Sequence, residues 1–272
     1  MITYDAAALR KIQMIQLEML IEVDRICRKC GIRYNIIAGT LLGAVRHGGF
    51  IPWDDDADVA MLRSEYDKFV SVLPGELNTD RFYFQDHRTT PGYRWGYGKL
   101  RRKNSLFLRE YQEHMPYEQG IFIDVFPLDQ VPESRIGRIY KNLECFMVRK
   151  VLYSPVGKMA EKNRLKRCIY KLLSKIPDKS IFNYYERMIR RAGVSESSMV
   201  RILMFPTPND TFMYYKKWYE NSTEIEFEGY KFSGIREWNE YLSFKFGDYM
   251  KLPPESQRKT HPVSKLVIPE RQ

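Results

Sequence analysis

Gly39-Thr40-Leu41-Leu42-Gly43-Ala44-Val45-Arg46-His47-Gly48-Gly49-Phe50-Ile51-Pro52-Trp53-Asp54-Asp55-Asp56-Ala57-Asp58-Val59 carries two chemical signals in close succession. The first is Gly39-Thr40, at the head of a short helix expected to run to about Val45. Glycine lets a backbone approach a phosphate closely, and the helix N-terminus behind it attracts anions. The second is the acidic run. Asp56 to Leu62 alternates and reads as a strand, in which residues i and i+2 share a face. Asp56 and Asp58 would then project together, with Ala57 and Val59 toward the core. Two such carboxylates repel each other unless a cation sits between them, and hard oxygen ligands suit Mg²⁺ or Mn²⁺.

A third carboxylate on a neighbouring strand would complete such a site. Asp124 is the candidate, because Ile121-Phe122-Ile123-Asp124-Val125-Phe126 is otherwise apolar and a lone Asp there is costly to bury unless paired or metal-bound. Taken singly, an acidic turn and a satisfied core Asp explain these residues more simply. Together with Gly39-Thr40 they point to a metal site made of Asp56, Asp58 and Asp124.

Outward from this stretch the pattern is that of an α/β protein with a mixed sheet. Residues 5–30 read as a long amphipathic helix closed by Gly31, and Arg33 to Ala38 as a short strand. Ser64–Leu73 reads as a helix, and strands fall near Phe82–Gln85, Trp95–Leu100, Ser105–Leu108 and Ile121–Phe126. Glu224–Phe232 reads as a hairpin turning near Gly229, Glu237–Phe246 as a helix, and the end of the chain is Pro-rich. The expected division is a catalytic core over 1–132, a basic helical region over 133–200, and a return to the first domain over 201–272.

The chain has 272 residues, 44% hydrophobic and 29% charged, which supports a sizeable core and argues against wholesale disorder. The longest uncharged stretch, Tyr34 to Val45, is far short of the ~20 apolar residues a membrane span needs. No secretory pattern opens the sequence, and four cysteines are too few for a disulfide scaffold. Cys27 and Cys30 form a C-x-x-C without a second ligand pair and read as structural thiols. These features point to the cytoplasm.

The net charge of +10 is localised. Glu133 to Arg191 holds 16 Lys and Arg against 5 Asp and Glu, a net of +11, so the remainder is near −1. Within it Leu165, Cys168, Ile169, Leu172, Leu173 and Ile176 recur at helical spacing, opposite Arg164, Lys166, Arg167, Lys171 and Lys175. Such a helix suits a solvated basic face packed on the core, or docking on an anionic membrane surface. Nucleic acid is not an expected partner, since no reading motif accompanies the cluster.

The central block, with Gly98-Lys99-Leu100-Arg101, Phe122-Ile123-Asp124-Val125-Phe126-Pro127-Leu128, Phe227-Glu228-Gly229 and Phe246-Gly247-Asp248-Tyr249-Met250…Arg258…His261, resembles the LicD phosphotransferase family. That family belongs to the nucleotidyltransferase-fold superfamily and includes the fukutin-related proteins. The resemblance reaches both ends of the chain and is weakest over about 133–200. It implies a nucleotidyltransferase-like core and transfer of a phosphorylated alcohol, often phosphocholine, from a CDP-linked donor to a glycan hydroxyl. Asp56, Asp58 and Asp124 would hold Mg²⁺ (or Mn²⁺) against the diphosphate, with Asp124 also in position to take the acceptor's proton. Lys99, Arg101, Arg46 and His47 are candidate phosphate contacts. Trp53 is a stacking surface or a buried aromatic, Asp55 stands behind the ligands, and His261 is expected where a substrate pocket closes. The expected partners are a CDP-alcohol donor and a glycan or lipid-linked glycan acceptor, at the inner face of the cytoplasmic membrane. Two other readings remain open. One is a nucleotidylyltransferase releasing pyrophosphate, and the other a basic membrane- or nucleic-acid-binding protein with a vestigial site.

Overall fold

A computed structural model describes residues 4–194, 196–207, 210–258 and 260–269. In chain order the first elements are α1 (Ala6–Cys30), β1 (Asn35–Ile36), α2 (Ala38–His47), β2 (Asp58–Leu62), α3 (Arg63–Glu76), β3 (Phe82–Gln85), β4 (Gly98–Arg102), β5 (Leu106–Arg109) and β6 (Phe122–Gln130). Then come α4 (Arg135–Ala160), α5 (Arg164–Leu173), α6 (Asp178–Val194), β7 (Met199–Arg201), β8 (Tyr214–Tyr215) and α7 (Lys217–Glu220). The last are β9 (Ser222–Phe227), β10 (Tyr230–Ile235), α8 (Trp238–Phe246) and β11 (Val263–Val267).

The open mixed sheet runs β3-β4-β6-β2-β1-β10-β9, with β7 added to β6 and β8 to β7. Its centre places the chemistry. β2 and β6 pair in parallel with Asp58 opposite Asp124, and β4 pairs antiparallel with β6 so that Lys99 also lies opposite Asp124. One row across three strands therefore carries Asp58, Asp124 and Lys99. The expected fold class is the one observed.

Helix α1 is more than a cover for the sheet. Asp5 caps its first turn by accepting from the Ala8 N–H (2.8 Å), and Gly31, in the left-handed conformation, ends it. Its buried face carries Ile12, Ile15, Met19, Leu20 and Val23, but also Gln13 and Gln16. Gln13 Nε2 donates to the carbonyl of Asp54 (2.9 Å), and Gln16 Nε2 to those of Asp55 (2.7 Å) and Phe122 (3.2 Å). These two amides fasten the acidic loop to the helix, because a buried carbonyl needs a donor.

The loop after α2 is packed as tightly. A Cβ on Gly43 would stand 2.4 Å from the carbonyl oxygen of Gly49 and 3.3 Å from the Ile51 nitrogen. Both obstacles are backbone and cannot swing away. Gly43→Ala is therefore expected to cost about 2–3 kcal/mol, read as a lower denaturation midpoint at unchanged m-value. A midpoint within error of the parent would mean that this contact relaxes freely.

Two readings of the sequence need correction, and a third gains an element. The strand begins at Asp58, leaving Asp56 in the preceding loop, because the Asp58 N–H is taken by Thr40 Oγ1 (2.8 Å). Ala57 and Val59 are buried as expected. The Pro-rich end contains β11, which pairs with β5. Finally, only the end of the α5 apolar stripe packs inward: Leu165, Ile169 and Leu172 are exposed, Leu173 and Ile176 are half-buried against a second apolar cluster, and Tyr170 is buried. Helices α4 and α6 share this cluster around Val148, Leu152, Tyr185 and Met188. The cysteines are free, with Cys27 buried and its thiol pKa pushed up by burial.

Candidate active site

Gly39 and Thr40 fall in the first turn of α2, entered through Ala38 at φ 49°, a left-handed conformation that costs a residue with a Cβ about 1 kcal/mol or more. A Cβ on Gly39 would meet the Asp54 carboxylate oxygen at 2.7 Å, so that any larger residue would displace Asp54. Asp54 thus lies against the start of the helix, and Thr40 ties that helix to the first residue of β2.

The acidic loop bends all its carboxylates into one region. Burial, then the neighbouring charges of Asp56, Asp124 and Asp54, holds the Asp58 carboxyl well above the usual carboxylate range. Burial and then Asp56, which accepts a hydrogen bond from protonated Asp54, push Asp54 up to about 9. Asp56 is raised by burial and Asp124, against an opposing pull from His261. Asp55 moves the other way. Burial would raise it, but the His261 hydrogen bonds and charge together with the Tyr4 hydroxyl outweigh that and leave it lowered.

Two basic side chains of the protein itself reach the cluster. Lys99, buried, forms a short ion pair with Asp124 and lies 3.4 Å from the centroid of the Phe122 ring. Burial and the neighbouring arginines draw its pKa down to about 8 despite Asp124. His261 grips Asp55 twice, with its backbone N–H on Oδ2 and Nδ1 on Oδ1, each at 2.8 Å. Its Nε2 then faces Asp56 Oδ2 at 3.9 Å. β11 makes this possible, since its pairing with β5 delivers the residues just before Val263 to the acidic loop.

Beside this cluster lies a cavity of about 680 Å³ between β4 and α4. Lys99, Arg101, Arg109, Arg149, Lys150 and Arg94 line it with Trp95, Tyr97, Phe107, Phe122, Phe146, Tyr153 and Phe205, and no carboxylate is among its lining residues. Asp58 faces a smaller hollow with Ala38, Tyr241 and Lys245, which shares Phe205 and Pro206 with the cavity. Lys99 therefore stands at the junction, one side on Asp124 and the other lining the cationic cavity.

The remaining expected residues are placed differently. Arg101 lies in the cavity wall but is engaged, donating to Gln85 Oε1 (2.6 Å) and the Gly120 carbonyl (2.7 Å). Arg46 Nη1 donates to the Tyr249 carbonyl (2.6 Å), joining α2 to the segment after α8. His47 meets Trp53 edge-on at 6.2 Å, and the Arg258 guanidinium covers the Trp53 ring at 4.6 Å.

Sequence reasoning passed over Asp54, Gln13, Gln16, Tyr4 and the α4 residues Arg149, Lys150, Phe146 and Tyr153. Asp54 stood in the acidic run itself. The two glutamines were visible as polar interruptions of an apolar helix face, at the Ile12 and Ile15 level of α1. Nothing in the sequence pointed α4 at the cavity.

The oxygen-only chemistry of Asp54, Asp56, Asp58 and Asp124 fits a hard divalent cation, because the raised pKa values of Asp54, Asp56 and Asp58 report a shortage of positive charge. Among the described residues no group of three or more His, Cys, Asp or Glu side chains is ready-made to hold a metal ion. Lys99 engages Asp124, and Asp54 shares a proton with Asp56. A test follows from the sign of the shift. Asp54 titrates near 9 when folded and near 3.9 when unfolded. The folded state therefore holds the extra proton across that window, and its contribution to stability falls as pH rises through it. Between pH 5 and 8 the metal-free parent should lose more stability than Asp54→Asn does. Mn²⁺ or Mg²⁺ should raise the Tm by about 5 °C at pH 8 and much less at pH 5. Equal metal shifts at the two pH values would contradict this account.

A Gly-Thr helix start over paired carboxylates on two parallel strands, beside a cationic cavity, defines an enzyme built to handle phosphorylated substrates. Residues 31–160 match the family model described as LicD/FKTN/FKRP, nucleotidyltransferase domain. The chain is 30% identical over 265 residues to the lipopolysaccharide cholinephosphotransferase LicD of Haemophilus influenzae, covering 96% of this chain and 98% of that one. It is also 26% identical over 164 residues to an uncharacterized protein of Rickettsia prowazekii, covering 51% and 57% respectively. The chain belongs to the LicD family, and it is a phosphotransferase. No helix among the described residues is long and apolar enough to cross a membrane.

Proposed function

We propose that the enzyme transfers a phosphorylated alcohol, phosphocholine or a close relative, from a CDP-linked donor to a hydroxyl of a cell-surface glycan or its lipid-linked precursor. The observation that carries this reading is the junction at Lys99. A cluster of buried carboxylates on one side meets a cationic, aromatic cavity on the other, which is what a diphosphate bridging a metal and a nucleoside or headgroup requires. The similarity to a lipopolysaccharide cholinephosphotransferase supports the choice of transferred group and acceptor.

Asp56, Asp58 and Asp124, with Asp54 beside them, would hold Mg²⁺ (or Mn²⁺), which when bound neutralises and orients a diphosphate. The chain's own residues do the rest. Arg109, Arg149 and Lys150 offer cations along the cavity for the phosphates of the donor. Trp95, Tyr97 and Tyr153 offer ring faces there that suit a base or a quaternary ammonium. Lys99 holds the Asp124 carboxylate in line with Asp58. His261, anchored by Asp55 through Nδ1, presents Nε2 toward Asp56 and is placed to order the loop when substrate arrives.

The test is nucleotide release. The protein is incubated with Mg²⁺, a panel of CDP-alcohols with a glycan acceptor and, separately, nucleoside triphosphates. CMP from one CDP-alcohol, abolished by EDTA, is the expected result and names the donor. Pyrophosphate from a triphosphate, without CMP from any CDP-alcohol, would replace this reading by nucleotidyl transfer.

A further inference from the structure

Helix α5 turns Leu165, Ile169 and Leu172 of its apolar stripe away from the protein, while Leu173 and Ile176 pack against the cluster shared by α4 and α6. Leu165, Ile169 and Leu172, at i, i+4 and i+7, are 73%, 50% and 69% exposed. The helix is held through Leu173 and, on another face, through Tyr170. Its hydroxyl accepts from Lys150 Nζ (3.0 Å), and its ring meets Tyr153 edge-on at 5.8 Å. It fits because Gly157 lacks a Cβ, which would stand 2.8 Å from the ring. On α4 one face runs through Ile139, Leu143, Phe146, Lys150, Tyr153 and Gly157. α5 covers its C-terminal half, while Ile139, Leu143 and Phe146 stay exposed. Both apolar stripes therefore border one surface.

Its charge is one-sided. α5 contains Arg164, Lys166, Arg167 and Lys171 and no acidic residue, and Lys175 follows it. Glu144, the acidic residue within this stretch of α4, is already bound by Lys141 (2.7 Å) and by Tyr184 (2.7 Å). An apolar stripe flanked by unopposed cations matches a bilayer interface, where acyl chains take the stripe and headgroup phosphates the cations. A second copy of the chain would set the same +11 segment against itself, which like-charge repulsion disfavours.

We propose that the α4–α5 surface docks the protein on a bilayer carrying anionic headgroups, with Leu165, Ile169 and Leu172 entering the headgroup–acyl boundary. Phe146, Lys150 and Tyr153 belong both to this surface and to the cavity wall, so a docked protein presents its cavity next to the lipid. The docking stands independently of the reaction assigned to the cavity.

The full chain is floated with vesicles of phosphatidylcholine alone and of phosphatidylcholine with phosphatidylglycerol. Binding is expected to the anionic vesicles, weakening as salt rises. The triple variant Leu165→Ser/Ile169→Ser/Leu172→Ser should bind at least about tenfold more weakly, since binding strength scales with the apolar area buried in the interface. Lys166→Glu/Lys171→Glu should lose the preference for anionic lipid. These side chains are exposed, so both variants should melt with the parent. Cys168 is the exposed cysteine of the four, and an environment-sensitive dye on it should shift blue with anionic vesicles. The proposal is overturned if the parent ignores anionic vesicles or if the triple variant binds as the parent does. It is also overturned if the parent is a dimer that the triple variant dissociates, or if the charge variant loses binding to nucleic acid but not to vesicles. CMP release with a water-soluble acceptor is unchanged in both variants if docking and chemistry are separate.

Discussion

Asp58→Asn is expected to lower kcat/KM for CMP release by about 10³-fold or more, a loss near 4 kcal/mol of transition-state stabilisation. The metal-free protein should at the same time melt no lower than the parent. The two halves have one cause. Asp58 sits in register opposite Asp124, and burial with the charges of Asp56, Asp124 and Asp54 makes its ionised form unfavourable. A carboxylate held against such opposition weakens the fold and is of use only when a cation or a substrate needs it. Asparagine keeps the shape and removes the charge, so folding is relieved while the electrostatic contribution to reaction is lost. Activity within tenfold of the parent would remove Asp58 from the chemistry. Normal metal-free melting with absent activity is the signature expected.

Lys99→Met should have the opposite thermal outcome. The ammonium is buried, paired with Asp124 and seated over Phe122, and removing it leaves a buried carboxylate without its partner. Breaking such a pair from one side costs about 3–5 kcal/mol, which for a chain of this size lowers Tm by on the order of 10 °C. CMP release should also fall, because Lys99 is the cation shared by the acidic cluster and the cavity. Lys99→Met with Asp124→Leu separates the two roles. Removing both charges should restore most of the stability without restoring activity. If the double variant melts as low as Lys99→Met alone, the pair is not what Lys99 contributes to the fold.

Much of this site was legible in the sequence, for reasons that differ by residue. Asp56, Asp58 and Asp124 stood out because carboxylates in apolar, strand-like runs demand an explanation, and Gly39 and Thr40 because of their place at a helix start. The neighbours of the cluster were less legible. Asp54 belongs to the site through a contact with Gly39 across the α2 turn, and no spacing rule reports a contact of that kind. Gln13 and Gln16 were polar residues on an apolar face, whose targets are carbonyls some 40 to 106 positions away. Phosphate roles expected of Arg46 and Arg101 rested on charge alone, and both guanidinium groups are bonded to backbone carbonyls.

The sequence by itself determined most of the elements, the sign and place of the charge, and the acidic residues of the site. Each is a property of residue type and local period, which act over a few positions. Only the tertiary structure decided which elements meet. It set Lys99 opposite Asp124 through strand pairing, and it brought His261 to Asp55 through a short terminal strand flanked by prolines. It laid α4 along the cavity and turned Leu165, Ile169 and Leu172 of α5 outward, because Tyr170 fits the notch at Gly157 and those three side chains have no such socket. Amphipathic periodicity states that a helix has an apolar face. Whether that face turns inward depends on shape complementarity between residues far apart in the chain, which no local pattern contains.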